Sequence, residues 1–230
     1  LISRYFLSSK NMLGFVYEKS VKYLLIIAFP VSVGAMVLAA KLISFLYGNG
    51  YQDSVLALQI LAWNCVLLAV SRPMFYVLGA INRQGTCAVI TISALTLSIG
   101  LNLILIPHLS YIGSAIITLI NGTLVILASW YAASKYGFPL KLFQVTWKPL
   151  LASLIMGAIV YGVEKGTDTG LLSLVLLGIV TYFIALIILK GFAKDDLYLA
   201  KETLRTKKRR EQPVKTSPPE TIQELTEVKN

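Results

Sequence analysis

The chain has 230 residues, 56% of them hydrophobic and only 14% charged, with a mean hydropathy of +0.72 and a net charge of +10. Soluble domains run near a quarter charged, so this composition excludes a water-soluble globule, a disordered chain and, despite the basic balance, a nucleic-acid-binding domain. Positive charge beside long apolar runs is instead the pattern of the inner loops of a membrane protein. Cys65 and Cys87 lie in or beside apolar runs, and they form neither a disulfide framework nor a thiolate metal site.

Six apolar runs follow one another. They cover Tyr23–Tyr47, Val55–Ile81, Cys87–Ile106, Tyr111–Ala133, Pro149–Val163 and Leu171–Leu189. All but the fifth reach the roughly 20 residues that a spanning helix needs. The short fifth run can cross if Trp147 and Tyr161 sit at the two interfaces. The runs are continuous, without the alternation of a membrane β-barrel. Gly48, Asn49 and Gly50 predict a tight turn after the first run, Asn82–Gly85 another, and Pro107–Gly113 a third. The expected fold is an all-α integral membrane protein, a bundle of six transmembrane helices. Residues 1–20 read as a cytoplasmic connecting segment, 21–192 as the bundle, and 193–230 as a basic, partly disordered cytoplasmic tail. With Leu1 first and no signal peptide ahead of the first run, the sequence is expected to continue a longer chain.

The distribution of Lys and Arg gives an orientation. With six spans both ends share a side, and that side would hold 18 of the 21 basic residues. The opposite side would hold Lys165, and Lys41 and Arg72 fall inside apolar runs. The excess places both termini in the cytoplasm, in a multi-pass protein of the cytoplasmic membrane. The run Lys207–Arg210 suits anionic lipid head groups.

Polar residues within the runs mark helix faces. Pro30, Gly34, Val37, Lys41 and Ser44 follow steps of three and four and share one face. Pro30 predicts a kink and Gly34 a close approach, so the pair reads as a hinge. Asn64 and Ser71 share a face, with Arg72 turned about 80° away. Thr91, Ser98 and Asn102 align, as do Ser114, Thr118 and Asn121. Ser153 and Gly157 form a pair suited to close helix packing. Serines, threonines and glycines read as packing groups, whereas Asn64, Asn102 and Asn121 are equally consistent with a substrate path. Arg72 lies on the order of 13 Å from the end of its run, too deep for snorkelling to cover fully. A cation there implies water, a partner from another segment, or an anionic ligand. Lys41 is a weaker second candidate.

Enzymatic chemistry is not expected. The sequence has one histidine, no paired carboxylates inside the runs, no metal-ligand cluster and no phosphate-binding glycine loop. No cofactor or metal is expected.

Several segments resemble a known family. Phe29-Pro30 through Leu46-Tyr47-Gly48-Asn49-Gly50-Tyr51 is similar to the seventh span and following turn of polysaccharide-exporter flippases. These belong to the multidrug/oligosaccharidyl-lipid/polysaccharide (MOP) superfamily. The likeness continues through Leu58-Gln59-Ile60-Leu61, Gly79-Ala80-Ile81-Asn82-Arg83-Gln84, Leu101-Asn102-Leu103-Ile104-Leu105-Ile106-Pro107 and Gly113-Ser114-Ala115-Ile116, and fades after about Gly157. The resemblance implies one half, the C-terminal one, of a two-bundle transporter working by alternating access. Its cargo would be a polyprenyl-phosphate-linked oligosaccharide, with Arg72 and Lys41 holding phosphate. The other bundle would be an N-terminal six-span half or a second copy. Two alternatives remain open: a non-transporting scaffold for polysaccharide assembly enzymes, acting through the basic tail, and a drug or cation exporter, which usually needs an intramembrane carboxylate.

Overall fold

The computed structural model describes residues 10–140, 142–166 and 169–189. These residues are helical, with short turns between. They form α1 (Lys10–Val37), α2 (Ala39–Tyr47), a 3-10 turn (Asn49–Tyr51), α3 (Ser54–Ala62), α4 (Asn64–Ala80), α5 (Gln84–Lys135), α6 (Leu142–Gly166) and α7 (Leu171–Ile188). Among the described residues, five helical stretches are long and apolar enough to cross a membrane, with α3 and α4 counting as one.

The stretch α5 accounts for the difference from six. At 1.5 Å per residue, an unbroken helix of its 52 residues would be about 78 Å long, more than twice the ~30 Å hydrocarbon core of a bilayer. It doubles back instead. Ser110 leaves helical geometry with φ 53° and ψ −139°. Arg83, just before α5, sits over the ring of Tyr136, just after it, at 4.7 Å. A Cβ added to Gly113 would lie 3.0 Å from the Leu105 carbonyl oxygen, although eight residues of straight helix separate two atoms by about 12 Å. Glycine at 113 is therefore what lets the arms 84–109 and 111–135 meet at the reversal. Counted this way, the described residues make six crossings. The expected turns at Gly48–Gly50 and Asn82–Gly85 are also present, with positive φ at Gly48 and Asn82.

The bundle has two ends. One carries the turns near Gly48, Ser110 and Thr169, tied by a hydrogen bond from the Tyr111 hydroxyl to the Asp53 carbonyl and by one from the Lys41 ammonium to the Thr169 carbonyl. The other carries Arg83, Tyr136 and the residues 136–140 that follow α5. We call these the Lys41 end and the Arg83 end.

Near the Arg83 end, Leu13, Tyr17 and Val21 of α1 pack with Met74 and Val77 of α4 and with Phe138 and Leu140. The helix runs unbroken through residue 20, so described residues 10–20 belong to α1 and its core. Deeper in, Val33 of α1, Ala152, Met156 and Val160 of α6, and Leu174 and Tyr182 of α7 form a second cluster. Small residues set the spacing there. A Cβ on Gly157 would lie 2.6 Å from Val33 Cγ1, and Ser153, one turn earlier, is fully buried. The close packing expected of that pair is thus α6 against α1.

The span expected at Pro149–Val163 is longer than its apolar run. α6 begins at Leu142 and holds Pro149 inside it. Pro149, the first residue of the apolar run, thus lies within the helix, as does Trp147 before it. The extension also brings Glu164, just past the apolar run, onto the last turn of α6.

Candidate functional site

Breaks in α1–α2 and α3–α4 free backbone carbonyls, and neighbouring helices cap them. Pro30 cannot donate to the carbonyl four residues back, that of Ile26. The Tyr182 hydroxyl of α7 donates to that oxygen at 2.7 Å. The ladder of α1 breaks at Leu38 (φ −90°, ψ 12°), one turn beyond Gly34, and Gln59 Nε2 donates to Met36 O at 3.2 Å. At the Trp63 break, Val66 N–H turns to the Trp63 carbonyl, and the buried Ser32 hydroxyl donates to Ala62 O at 2.7 Å. The Pro30–Gly34 segment expected as a hinge is thus strapped to α7, and Gly34 approaches Met156, its Cβ position 3.9 Å from Cε.

Arg72 lies on α4 between buried Ser71 and buried Pro73, and is itself exposed. It stands eight residues before the helix end at Ala80, about 12 Å along the axis. Its guanidinium makes no hydrogen bond or ion pair with the described residues, so it does not cap the carbonyl released by Pro73. Leu61, Cys65, Leu68 and Tyr76 share its exposed stripe, at steps of three and four. The stripe is apolar apart from one cation and a phenol.

Lys41 is elsewhere. Half-buried at its own end of the bundle, its Nζ donates to Thr169 O at 3.2 Å. From Arg72, nineteen residues of α3–α4 lead back to Asp53 at that end, so the two cations are separated by roughly 20 Å along the axis. They form no common clamp. Lys41, Ser44, Phe45, Gln52, Glu164 and Thr169 instead line a hollow of about 530 Å³, in which Gln52 Nε2 donates to Ser44 Oγ at 2.8 Å.

The three asparagines also fail to converge. Asn64 Oδ1 lies 3.5 Å from the Cβ position of Gly122, so it packs against the helix face next to Asn121. The Asn121 Oδ1 is buried and unpartnered among the described residues. Asn102 turns back on its own helix, its Nδ2 donating to Ser98 O at 2.7 Å. Thr118 and Thr91 likewise donate to the carbonyls of Ser114 and Cys87. Among the described residues no group of three His, Cys, Asp or Glu gathers as a metal site would require. Two features escaped the sequence reading, the Tyr182–Ile26 strap and the hollow around Lys41. The first had a signal in Pro30, which announces a freed carbonyl; the second had none, since it depends on how far α6 extends.

No protein-family model matches the chain. It is 27% identical over 180 residues to the probable low-salt glycan biosynthesis flippase Agl15 of Haloferax volcanii, an alignment covering 76% of this chain and 38% of that protein. It also superposes on a solved structure of the lipid II flippase MurJ, in an inward closed conformation, with a TM-score of 0.71 and 23% identity. That match covers 82% of this chain and 41% of the other. The fold is that of the matched part of the lipid II flippase structure, about two fifths of that chain.

The chain spans less than half the length of both flippases. The exposed Arg72 stripe has nothing opposite it among the described residues.

Proposed function

We propose that the chain is one bundle of a flippase that carries a lipid-linked oligosaccharide across the cytoplasmic membrane by alternating access. The α3–α4 stripe bearing Arg72 lines the path. The observation that carries this reading is Arg72, an exposed arginine deep within an apolar helix. Facing lipid, it would cost about 2.5–3.5 kcal/mol or more. Facing a wet cleft, it offers two parallel hydrogen bonds to a phosphate. The likeness to two proteins named as flippases supports the same reading. The second bundle is an N-terminal six-span half or another copy of this chain. The Arg83 end lies in the cytoplasm, with Arg83 and Lys135 beside the connections there, so the Lys41 end faces outward.

The test is export by the complete transporter, normalised to membrane-inserted protein. A charged hydrogen bond contributes about 1.5–3 kcal/mol, so Arg72→Ala should lose most export and Arg72→Lys should retain part. Arg72→Glu should abolish it by repelling phosphate. Normal export per molecule in Arg72→Ala would leave Arg72 outside the path. Lys41, tied to Thr169, has no part in the phosphate step at Arg72's depth. The scaffold alternative places function in residues 193–230, outside the described residues, and nothing in the bundle favours it.

A further inference from the structure

We propose that the crevice between α1–α2 and α7 is a second cargo site, holding an isoprenoid-phosphate-linked glycan at the Lys41 end of the bundle. This rests on the flippase reading and adds where the cargo lodges on one side of the membrane. The crevice has two adjoining parts. The first is an apolar groove of about 470 Å³, bounded by Pro30, Gly34 and Ala35 on α1, Leu174 and Gly178 on α7, and Met156 beneath. It is hollow because these positions lack bulk: two glycines, an alanine and a proline face each other where longer side chains would close the gap. Its lining runs from Ile26 to Leu42, about 24 Å of helix and so most of the ~30 Å hydrocarbon depth.

The second part is the polar hollow around Lys41. The two adjoin along both walls. Leu38 and Leu42 line the groove while Lys41 and Phe45 line the hollow; on α7, Leu174 lines the groove and Leu171, one turn earlier, the hollow. An apolar slot that opens into a polar cup has the shape of a lipid with a large head group.

The chemistry of the cup selects the head group. An ammonium has three donors, and the Thr169 carbonyl takes one of Lys41's. The Thr169 hydroxyl oxygen is buried with no partner among the described residues. Gly170 provides no side-chain cap for the first N–H groups of α7, whose partial positive charge favours an anion. These three features suit a phosphate. Glu164 and Gln52 add a carboxylate acceptor and an amide, groups that bind sugar hydroxyls. An anion joined to a polyol, carried on a long hydrocarbon chain, uses all of them.

The test uses the full chain in phosphatidylcholine nanodiscs. The probe is a polyprenyl phosphate bearing one sugar, with a photoreactive group at the far end of its hydrocarbon chain. Cross-links should concentrate on α1 and α7 residues of the groove. Lys41→Gln should weaken labelling roughly tenfold, the effect of one lost charge-assisted contact, and Lys41→Arg should retain most of it. Ala35→Phe, which fills the groove, should remove labelling, with the milder Ala35→Leu reducing it if the larger side chain disturbs folding. Ile104→Phe, on the exposed arm 84–109, should leave it unchanged. Labelling spread evenly around the bundle, labelling indifferent to Lys41→Gln and Ala35→Leu, or labelling erased by an equal mole fraction of phosphatidylglycerol would each overturn the proposal. The two readings separate cleanly. Groove labelling by a chain whose complete transporter does not export keeps this site and removes the flippase reading. Export that survives Lys41→Gln without groove labelling does the reverse.

Discussion

The arm 84–109 and helix α6 are both apolar and both long enough to span, yet they meet the membrane differently. Within α6, 39% of the most apolar stretch is buried inside the bundle, whereas in α5 that share is 0%. The difference does not follow hydropathy, which is higher in α5, at 2.3 against 1.4. It follows side-chain size. α6 presents Ala152, Ser153 and Gly157 to α1, so the backbones approach and van der Waals contact replaces lipid contact. Arm 84–109 presents Ile92, Leu95, Ile99 and Leu103, all exposed, which lipid solvates as well as another helix would. In a bilayer, association comes from close packing rather than from hydrophobicity.

The largest expected effect breaks that contrast at its tightest point. Gly157→Leu would drive a side chain into Val33, whose Cγ1 lies 2.6 Å from the Cβ position. Overpacking costs typically about 1–3 kcal/mol and sometimes more, and here it pushes against the stiff, β-branched side chains of Val33 and Val37. Gly100→Leu, on the arm where nothing lies within 4 Å of the Cβ position, should change stability by less than about 0.5 kcal/mol. Thermal unfolding of the two variants in one detergent compares them directly. Equal losses would mean that the arm packs as tightly as α6.

Next in size is Tyr182→Phe, which leaves the Ile26 carbonyl without its donor at a cost of about 1–3 kcal/mol. Pro30→Ala restores a backbone donor for that oxygen, so the double variant should lose less than the two single losses combined. A strictly additive cycle would show that the hydroxyl and the proline are unrelated. Ser32→Ala should cost about 1 kcal/mol by stripping the Ala62 carbonyl, measured by the same unfolding assay. Thr96→Val, which removes only a hydroxyl bonded to Ile92 O within the exposed arm, should be close to neutral.

Much of this architecture was legible in the sequence. Apolar length located every crossing but the fifth, whose run falls short of the roughly 20 residues that a span needs. The turns at Gly48–Gly50, Asn82–Gly85 and Pro107–Gly113 were legible from residues that tolerate positive φ or interrupt the ladder; only the pivot, Ser110, lacked its own signal. The start of α6 was not legible, since Pro149 ordinarily opens a helix and here sits in its third turn. Neither was the packing of Leu13 and Tyr17, because it depends on Met74, Val77 and Phe138, which lie far along the chain. Of the site, Arg72 was identifiable as a cation too deep for its surroundings. The separation of Lys41, Asn102 and Asn64 was not, because helical spacing assigns faces within one helix and says nothing of which helices meet.

The central claim is that the Arg72 stripe faces water while arm 84–109 faces lipid. The chain supplies its own probe in Cys65, exposed two turns before Arg72 on the same face. In the complete transporter, with Cys87 replaced by alanine, a charged, water-soluble maleimide should modify Cys65. It should also modify a cysteine introduced at Leu68 or Tyr76, and bound cargo should slow these reactions. In a Cys65→Ala background, Ile104→Cys should resist the charged reagent and react only with an apolar one. Equal resistance at Cys65, Leu68→Cys and Ile104→Cys would place the Arg72 face in lipid and contradict the account.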